Sequence, residues 1–466
     1  MSNKPVVLKV ALISAMGGFL FGFDTGVIGG TQLYFTDYFS LTPAQQGWAV
    51  GSALYGCFGG ALVAGYLTDA LSRKYTLLLS AVLFCLSAWG SGAATSLSEL
   101  VLYRVIGGVG IGFASMAAPM YISEISPPAQ RGRMVSLYQL SVVMGFFIVF
   151  LTTYIIGGGT TMGLDPQALE AIHQHNLEKG WRWMFWSELI PAGVFFVALF
   201  FVPHSPRWLV IKGREAEAKQ VLDRLGLSHE GAASLLSEIK KSVHQSAAGN
   251  ELRLFSKGVL CIVLIGVMLS VFQQITGINA ILYYGAEIFS NALGYGPQDA
   301  LKQQLWLGAV NLLCTFIALY AIDFWGRKPL YLVGTAGMFI GLSGLGLTIY
   351  LQQLGILSLI SILVFIGSFA MSMGPVVWVV LSEIFPNRLR GTAMAIAVGA
   401  QWLFNGIVAN VFPIINRSHI NEAIFHGALP YFIFAAFCVL AFVFFLRWVP
   451  ETKGHSLEEI EQRWRL

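Results

Sequence analysis

The sequence predicts an all-α membrane protein in which twelve transmembrane helices form two six-helix pseudo-repeats, with short helices on the cytoplasmic side. Three observations support this prediction. Of the 466 residues, 56% are hydrophobic and only 11% are charged, whereas about 25% of the residues of a soluble domain are charged. Apolar runs long enough to cross a bilayer recur along nearly the whole chain. Two charged motifs also recur at nearly one offset.

The apolar runs define twelve candidate spans of about 20 residues or more. In order, they cover residues 8–31, 46–68, 75–96, 99–121, 134–157, 182–203, 256–290, 303–322, 329–351, 357–382, 391–415 and 427–449. We therefore expect an N-terminal half (1–203), a polar linker (204–255), a C-terminal half (256–449) and a tail (450–466). Helical patterning in the linker at 215–225 and 232–243, and a helix start at Ser456, predict short helices outside the bilayer.

Basic residues predict the orientation. If both termini lie inside, the outer loops hold only Lys179, Arg182, Lys302 and Arg417 of the 28 Lys and Arg residues. This asymmetry places both ends in the cytoplasm. The five cysteines lie in apolar runs without a CxxC pair or a histidine at metal-ligand spacing, so we expect neither a metal nor a cofactor.

The repeated motifs indicate how the halves are related. Residues 123–132 match residues 382–391 at an offset of 259, and residues 69–74 match residues 323–328 at an offset of 254. Each pair follows the same span of its half on the cytoplasmic side. Two halves related by an axis along the membrane normal, with a substrate site at mid-depth between them, are typical of a transporter.

A carboxylate in the first span is the main candidate for function. A charged group inside a bilayer helix costs roughly 2.5–3.5 kcal/mol on insertion scales, so it calls for a partner and a use. At about 1.5 Å per residue, Asp24 lies about 24 Å from the inner boundary and Arg104 about 9 Å from the outer boundary of a core about 30 Å thick. The two depths agree within a turn or two. We expect Asp24 to exchange a proton while its pairing with Arg104 changes. The alternatives are a position near the membrane interface or a purely structural ion pair. Glu188, early in the sixth span, is a third candidate, although it fits helix-end stabilisation equally well.

Amides and aromatic residues dominate the remaining polar content of the spans. Amides both donate and accept hydrogen bonds, as sugar hydroxyls do, and flat rings suit the C–H face of a pyranose. The candidate substrate-binding residues are Gln139, Gln273, Gln274, Asn279, Tyr283, Tyr284, Asn311, Trp378, Gln401 and Trp402. Hydrogen bonding between helices is the alternative for any single amide.

The repeated cytoplasmic motifs suggest an inner gate. Opposite charges at the membrane surface would hold the halves together in one state if they paired across them. The candidate gate residues are Glu124, Arg131, Arg133, Glu383, Arg388, Arg390, Asp323 and Arg327. Simple positive-inside anchoring explains the same basic residues.

These motifs resemble the sugar porters of the major facilitator superfamily. The run from Gly374 through Trp378 to Asn387, with residues 400–402, looks like that of bacterial xylose–proton symporters. The resemblance implies the major facilitator fold, and it matches the six amides and two tryptophans above to sugar-binding positions. It also matches Asp24 and Arg104 to the proton-linked acid and its arginine; facilitative glucose carriers have Asn at the position of Asp24.

Two departures from the family pattern affect the cytoplasmic side of the first half. Residues 69–74 lack the family's Arg and Gly, and His204 stands where the family usually has Glu. Both departures weaken the expected charge latch in this half. A solvated loop histidine is the simplest interpretation of His204, with added pH sensitivity as the alternative.

The function we expect is proton-coupled import of a monosaccharide, a pentose or a hexose, by alternating access. Its partners would be the sugar, the proton and the lipid bilayer, without nucleic acid, and the protein would act as a monomer in a bacterial inner membrane. An uncoupled facilitative uniporter is the first alternative and a sugar-binding membrane sensor the second. An enzyme is not expected, because no nucleophile–base pair, metal cluster or phosphate loop stands out.

Overall fold

The architecture is helical throughout the part of the chain that the computed structural model describes, which comprises residues 4–126, 131–159, 165–225, 236–237, 239–240, 257–292, 294–385 and 390–453. The first half contains α1 (Lys4–Tyr38), α2 (Pro43–Ala70), α3 (Arg73–Ala93), α4 (Leu97–Ile125), α5 (Arg131–Ile156), α6 (Pro166–His175), α7 (Trp181–Trp186) and α8 (Leu189–Phe200), with a π-helical turn (Asn176–Gly180) joining α6 to α7. The linker contributes α9 (Pro206–Ile211) and α10 (Glu215–Arg224).

The described part of the second half starts at Lys257. It contains α11 (Lys257–Ile275), α12 (Ile278–Glu287) with a π-helical turn (Ile288–Ala292), α13 (Pro297–Trp325), α14 (Arg327–Tyr350), α15 (Ile356–Met371), α16 (Met373–Ile384), α17 (Arg390–Asn416), α18 (His419–Ala423) and α19 (Leu429–Trp448). The predicted linker helix at 215–225 corresponds to α10. Of the second predicted linker helix, residues 236–237 and 239–240 are described and are helical, while the tail helix lies wholly outside the described residues.

Twelve stretches of the described chain are long and apolar enough to cross a membrane. This confirms the predicted all-α, twelve-span fold. The sixth stretch is longer than predicted, because it runs from Pro166 to Phe200 and includes α6. The end of the bundle at which α1 begins and α19 ends is called the inner side, and the opposite end is called the outer side.

Three spans are interrupted near mid-depth. In the sixth, residues 187–188 separate α7 from α8. In the seventh, Gly277 has a φ of 91° between α11 and α12, a conformation that glycine adopts without a Cβ clash. In the tenth, Ser372 separates α15 from α16. Interrupted helices free backbone groups that lipid cannot satisfy, so such breaks face protein or a water-filled cavity.

Packing places one of these breaks between the two halves. Within the first half, α1 packs on α5, and α4 packs on α2 and α3. Within the second half, α14 packs on α15 and α19. The halves meet along α2 with α17, α5 with α13, and α1 with α12. Because α12 begins at the break in the seventh span and packs on α1, this break lies at the interface between the halves.

Candidate functional site: an amide cluster and a buried acid

The amide cluster lies at two helix breaks of the second half. Gln273 and Gln274 end α11 and Asn279 begins α12. Asn279 Nδ2 donates to Gln274 Oε1 at 2.7 Å, and Gln274 Nε2 donates to Gln273 Oε1 at 3.3 Å. Gln273 Nε2 then donates to the carbonyls of Met373 and Gly374, at 2.9 and 3.2 Å. The cluster thus connects the break in the seventh span to the break in the tenth.

Helix α17 adds a second set of polar groups. Asn405 Nδ2 donates to the hydroxyl of Tyr283 at 3.2 Å, and the ring of Trp402 lies 5.3 Å from that of Phe21 on α1. Gln401 Oε1, Trp402 Nε1 and Asn405 Oδ1 are buried without a hydrogen-bond partner. Buried polar atoms are nearly always paired. These three atoms have no protein partner, so they are available to a polar ligand. Phe21 was not among the predicted binding residues.

The remaining predicted residues divide by environment. Asn311 on α13 is buried, while Gln139 on α5 and Trp378 on α16 are half-buried. Tyr284 is different, because its hydroxyl donates to the backbone carbonyl of Ala409 at 2.7 Å. Its polar group is therefore engaged in a bond between α12 and α17.

Asp24 and Arg104 lie in contact inside the first half. Arg104 Nη1 forms an ion pair with Asp24 Oδ1 and donates to the backbone carbonyl of Asp24 at 3.1 Å. Each residue is 1% exposed, and the guanidinium lies 5.9 Å from the centroid of the Phe185 ring. Glu188, at the break between α7 and α8, is also fully buried, and neither of its carboxylate oxygens has a hydrogen-bond partner.

The second oxygen of Asp24 faces a serine that the sequence did not single out. Asp24 Oδ2 and Ser87 Oγ are both buried without a partner. A methyl group at Gly107 would lie 2.3 Å from Ser87 Oγ and 2.8 Å from Asp24 Oδ2, so both atoms converge on this glycine. The carboxylate therefore has an arginine on one oxygen, while its other oxygen and the Ser87 hydroxyl border the same glycine.

Ion clusters at the inner side form within each half. In the first half, Arg73 Nη2 binds Glu124 at 2.9 Å and Nη1 binds Asp69 at 2.9 Å, while Ser205 Oγ donates to the other oxygen of Glu124. The hydroxyl of Tyr121, on the same helix as Glu124, donates to the carbonyl of Pro203 at 2.8 Å.

The second half repeats this arrangement. Arg327 Nη2 binds Glu383 at 2.8 Å, and Thr452 Oγ1 donates to Glu383 at 2.5 Å. Among the described side chains, Glu124 and Glu383 therefore pair with an arginine of their own half, and the pairing across the halves that a gate would need is not seen. Arg73, which the prediction omitted, is the partner of Glu124.

Among the other predicted gate residues, only Arg133 has a described side chain, and it is exposed. The side chains of Arg131, Arg388, Arg390 and Asp323 lie outside the described part of the structure. His204 lies in the loop before α9, as expected, but it is half-buried and not fully solvated. Its Nδ1 lies 3.2 Å from Ser72 Oγ, and its ring stacks on Trp208 at 5.3 Å between centroids.

The environment of His204 disfavours its charged form. Burial lowers the pKa of His204, and the positive charges of Lys74 and Arg214 lower it further, while Glu217 acts in the opposite direction. The Tyr75 ring closes the other side, with its centroid 5.2 Å away. The imidazole is consequently held as a neutral group between the start of α3 and the linker.

Twelve apolar helices, interrupted spans around unpaired polar groups, and a buried acid–arginine pair define a polytopic membrane carrier. The sequence matches the family described as "Sugar (and other) transporter" over residues 10–464. This chain belongs to that sugar transporter family, and its members are transporters, not enzymes.

Relatives of known activity cover the whole chain. The sequence is 40% identical to the D-xylose-proton symporter of Escherichia coli K12, over 99% of this chain and 96% of that protein. It is 38% identical to the glucose facilitated diffusion protein of Zymomonas mobilis, over 100% of this chain and 98% of that one. The inward open structure of the xylose transporter XylE from E. coli superposes with a TM-score of 0.83 at 37% identity, covering 98% of this chain and 100% of that chain. The resemblance to sugar porters and the major facilitator fold are thereby confirmed.

Proposed function

We propose that this protein imports a monosaccharide, a pentose or a hexose, together with a proton by alternating access. The observation that carries the proposal is the buried pair of Asp24 and Arg104, which lies in the half opposite the amide cluster. A sugar site alone needs no buried acid. The acid gives the first half a group that can take up a proton on one side of the membrane and release it on the other.

The proposed coupling depends on the charge of Asp24. While Asp24 is ionised, Arg104 is neutralised by it, and the pair holds α1 to α4. Protonation removes one charge and weakens the pair, so α1 gains freedom to move relative to α4. Glu188 is the proposed second acid, because it lies close enough to both residues to interact with them electrostatically. Proton binding would in this way change the relative stability of the outward-open and inward-open states.

The proposed sugar site combines both halves, with most of its polar groups in the second. Gln401, Trp402 and Asn405 offer the unpaired atoms, while Trp402 and Phe21 offer ring surfaces from opposite halves. The predicted residues Gln139, Gln273, Gln274, Asn279, Asn311, Trp378 and Tyr283 complete the proposed site. Tyr284 is proposed as a support residue, because its hydroxyl is already engaged.

We also propose that the chain works as a monomer in a bacterial inner membrane, with both termini in the cytoplasm and residues 1–203 and 256–449 moving as two units. The inner-side ion clusters within each half support this division, because they hold each half together independently of the other. Residues 204–255 are then a connecting linker, and residues 450–466 a cytoplasmic tail.

The experiment is sugar uptake into proteoliposomes containing the purified protein. A panel of pentoses and hexoses is compared with and without an imposed inward proton gradient. The proposal expects accumulation of at least one sugar above its external concentration only when the gradient is present. Asp24→Asn should lose accumulation but retain exchange of labelled for unlabelled sugar. Accumulation by Asp24→Asn at the wild-type level would contradict the assignment of this residue.

Uncoupled sugar diffusion is the second candidate, and the relative from Zymomonas mobilis named as a facilitated diffusion protein favours it. The same vesicles separate the two candidates. A uniporter equilibrates sugar at a rate that is independent of the proton gradient and never accumulates it.

A further inference from the structure

A buried polar network joins the two halves on the outer side, above the amide cluster. Gln32 lies near the outer end of α1 and Gln46 in the first turn of α2, and each is 1% exposed. Gln46 Nε2 donates to Gln32 Oε1 at 3.2 Å and to Glu287 Oε2, at the end of α12, at 2.6 Å. Arg417, just after α17, donates to Glu287 Oε1 at 2.8 Å.

The network also holds the backbone of the broken seventh span. Gln32 Nε2 donates to the carbonyl of Tyr283 at 2.5 Å. The contacts therefore run from the Tyr283 backbone through Gln32 and Gln46 to Glu287 and Arg417, and they cross from one half to the other twice. Such bonds exist only while the outer ends of α1, α2 and α12 are together.

We propose that Gln32, Gln46 and Glu287 form an outer latch that stabilises the outward-closed state of the transport cycle. The inference rests on the proposed alternating-access function, because opening toward the outside would have to break these bonds. A hydrogen bond to a charged group inside protein contributes substantially, and losing it leaves a buried carboxylate only partly satisfied. The latch residues act through the gate and do not themselves contact sugar, so they are positioning residues.

The chemistry of the latch explains its residue types. Opening requires that the groups separate and become hydrated, and neutral amides accept water at far lower cost than a buried ion pair between the halves would. The charged pair, Glu287 with Arg417, lies wholly within the second half and stays intact when the halves part. The amide contacts to Tyr283 and Glu287 connect the halves within the latch, so the state can change reversibly.

The test is hydrogen–deuterium exchange of the full-length protein in nanodiscs, without sugar and without a proton gradient. Gln46→Leu removes the amide that binds Glu287 while keeping a side chain of similar size. Loss of one such bond shifts the ratio of outward-open to outward-closed molecules about tenfold. Peptides from the outer ends of α1, α2 and α12 should exchange faster, and peptides from the inner ends of α4 and α16 should exchange more slowly.

A matched control is available one residue away. Gln45→Leu also removes an amide from the first turn of α2, but the hydrogen bonds of the Gln45 side chain within the described part of the chain go to Thr42 of the same helix end. It should leave the exchange at the inner ends unchanged. Gln32→Leu should reproduce the pattern of Gln46→Leu, because it frees the Tyr283 carbonyl.

Opposite changes at the two ends distinguish a latch from general destabilisation, which speeds exchange at both ends. Faster exchange at both ends in Gln46→Leu, or no change at either end, would overturn the proposal. The measurement involves neither sugar nor proton, so failure of every sugar in the uptake assay would refute the proposed function without altering this result.

Discussion

The Ser72 hydroxyl lies 3.2 Å from Nδ1 of His204. At the corresponding position of the second half, Gly326 lies beside Glu451. Ser72 and Gly326 both have positive φ, 105° and 90°. In the second half, Glu451 accepts bonds from the first two backbone N–H groups of α14, and a methyl group at Gly326 would lie 2.9 Å from its carboxylate. Glycine is thus in contact with glutamate in the second half, and serine is in contact with histidine in the first. Two of the departures from the family pattern, Ser72 and His204, are therefore in direct contact.

This pairing predicts coupled effects on stability. His204→Glu alone places a carboxylate against the Ser72 side chain and should lower the free energy of unfolding by about 1 kcal/mol or more. Adding Ser72→Gly removes the clash and should recover most of that loss. A double-mutant cycle followed by thermal unfolding in detergent should give a coupling energy of about 0.5–3 kcal/mol. Additive effects of the two substitutions would mean that the residues are independent.

The environment of His204 predicts a pH dependence. Its pKa in the folded protein lies below the ordinary value of about 6.5, so at lower pH the unfolded chain binds a proton that the folded chain does not. The His204 contribution to stability should therefore be lost as the pH falls through about 6.5. Unfolding measured between about pH 7.5 and pH 5.5 should show a smaller fall for His204→Gln than for the wild type. An equal fall in both proteins would exclude this residue as the cause.

The unpaired atoms on α17 predict which residues bind sugar. Gln401→Leu removes an acceptor without a protein partner and should weaken sugar binding about tenfold, as expected for one lost hydrogen bond. Tyr284→Phe should leave the affinity unchanged but lower stability by about 1–3 kcal/mol, because the carbonyl of Ala409 loses its donor. Isothermal titration with the transported sugar and thermal unfolding measure the two effects. Weaker sugar binding in Tyr284→Phe with unchanged binding in Gln401→Leu would instead assign sugar binding to Tyr284.

The position of Ser87 predicts that removing its hydroxyl affects proton coupling more than sugar exchange. A protonated Asp24 would need an acceptor for its proton, and Ser87 Oγ is the hydroxyl that converges with Asp24 Oδ2 on Gly107. Ser87→Ala should reduce proton-driven accumulation several-fold, while exchange of sugar at equal concentrations stays near the wild-type rate. Ser91→Ala, one turn further toward the outer side, is the control and should accumulate sugar normally. Equal losses in both variants would point to helix packing instead.

The spans were predictable because the information is local. A run of about 20 apolar residues has few alternatives to crossing the bilayer. The meeting of Asp24 and Arg104 was also accessible, since counting residues from the membrane boundary places both at one depth. The partners of Glu124 and Glu383 could not be predicted from the sequence. Those partners, Arg73 and Arg327, lie at the starts of other helices, and a charge motif does not specify which of several nearby basic residues it will bind.

The outer network was missed for a related reason. Gln32 is a single amide in an apolar helix, and Gln46 is one of two adjacent amides at the start of another, so neither interrupts the apolar pattern that predicts a span. Glu287 was a usable signal, because an acid that ends an apolar run needs a partner, as Asp24 does. The pairing itself depends on how the two halves approach each other, which the linear sequence does not record.

The bonds from Gln273 to Met373 and Gly374 tie the broken seventh and tenth spans into one piece of the second half. Since the largest group of amides is held together without help from the other half, it keeps its shape whichever way the carrier opens. Sugar should then meet the same amides of the second half from either face of the membrane. Such a carrier has no built-in direction, and reversing the proton gradient should make it empty a sugar-loaded vesicle.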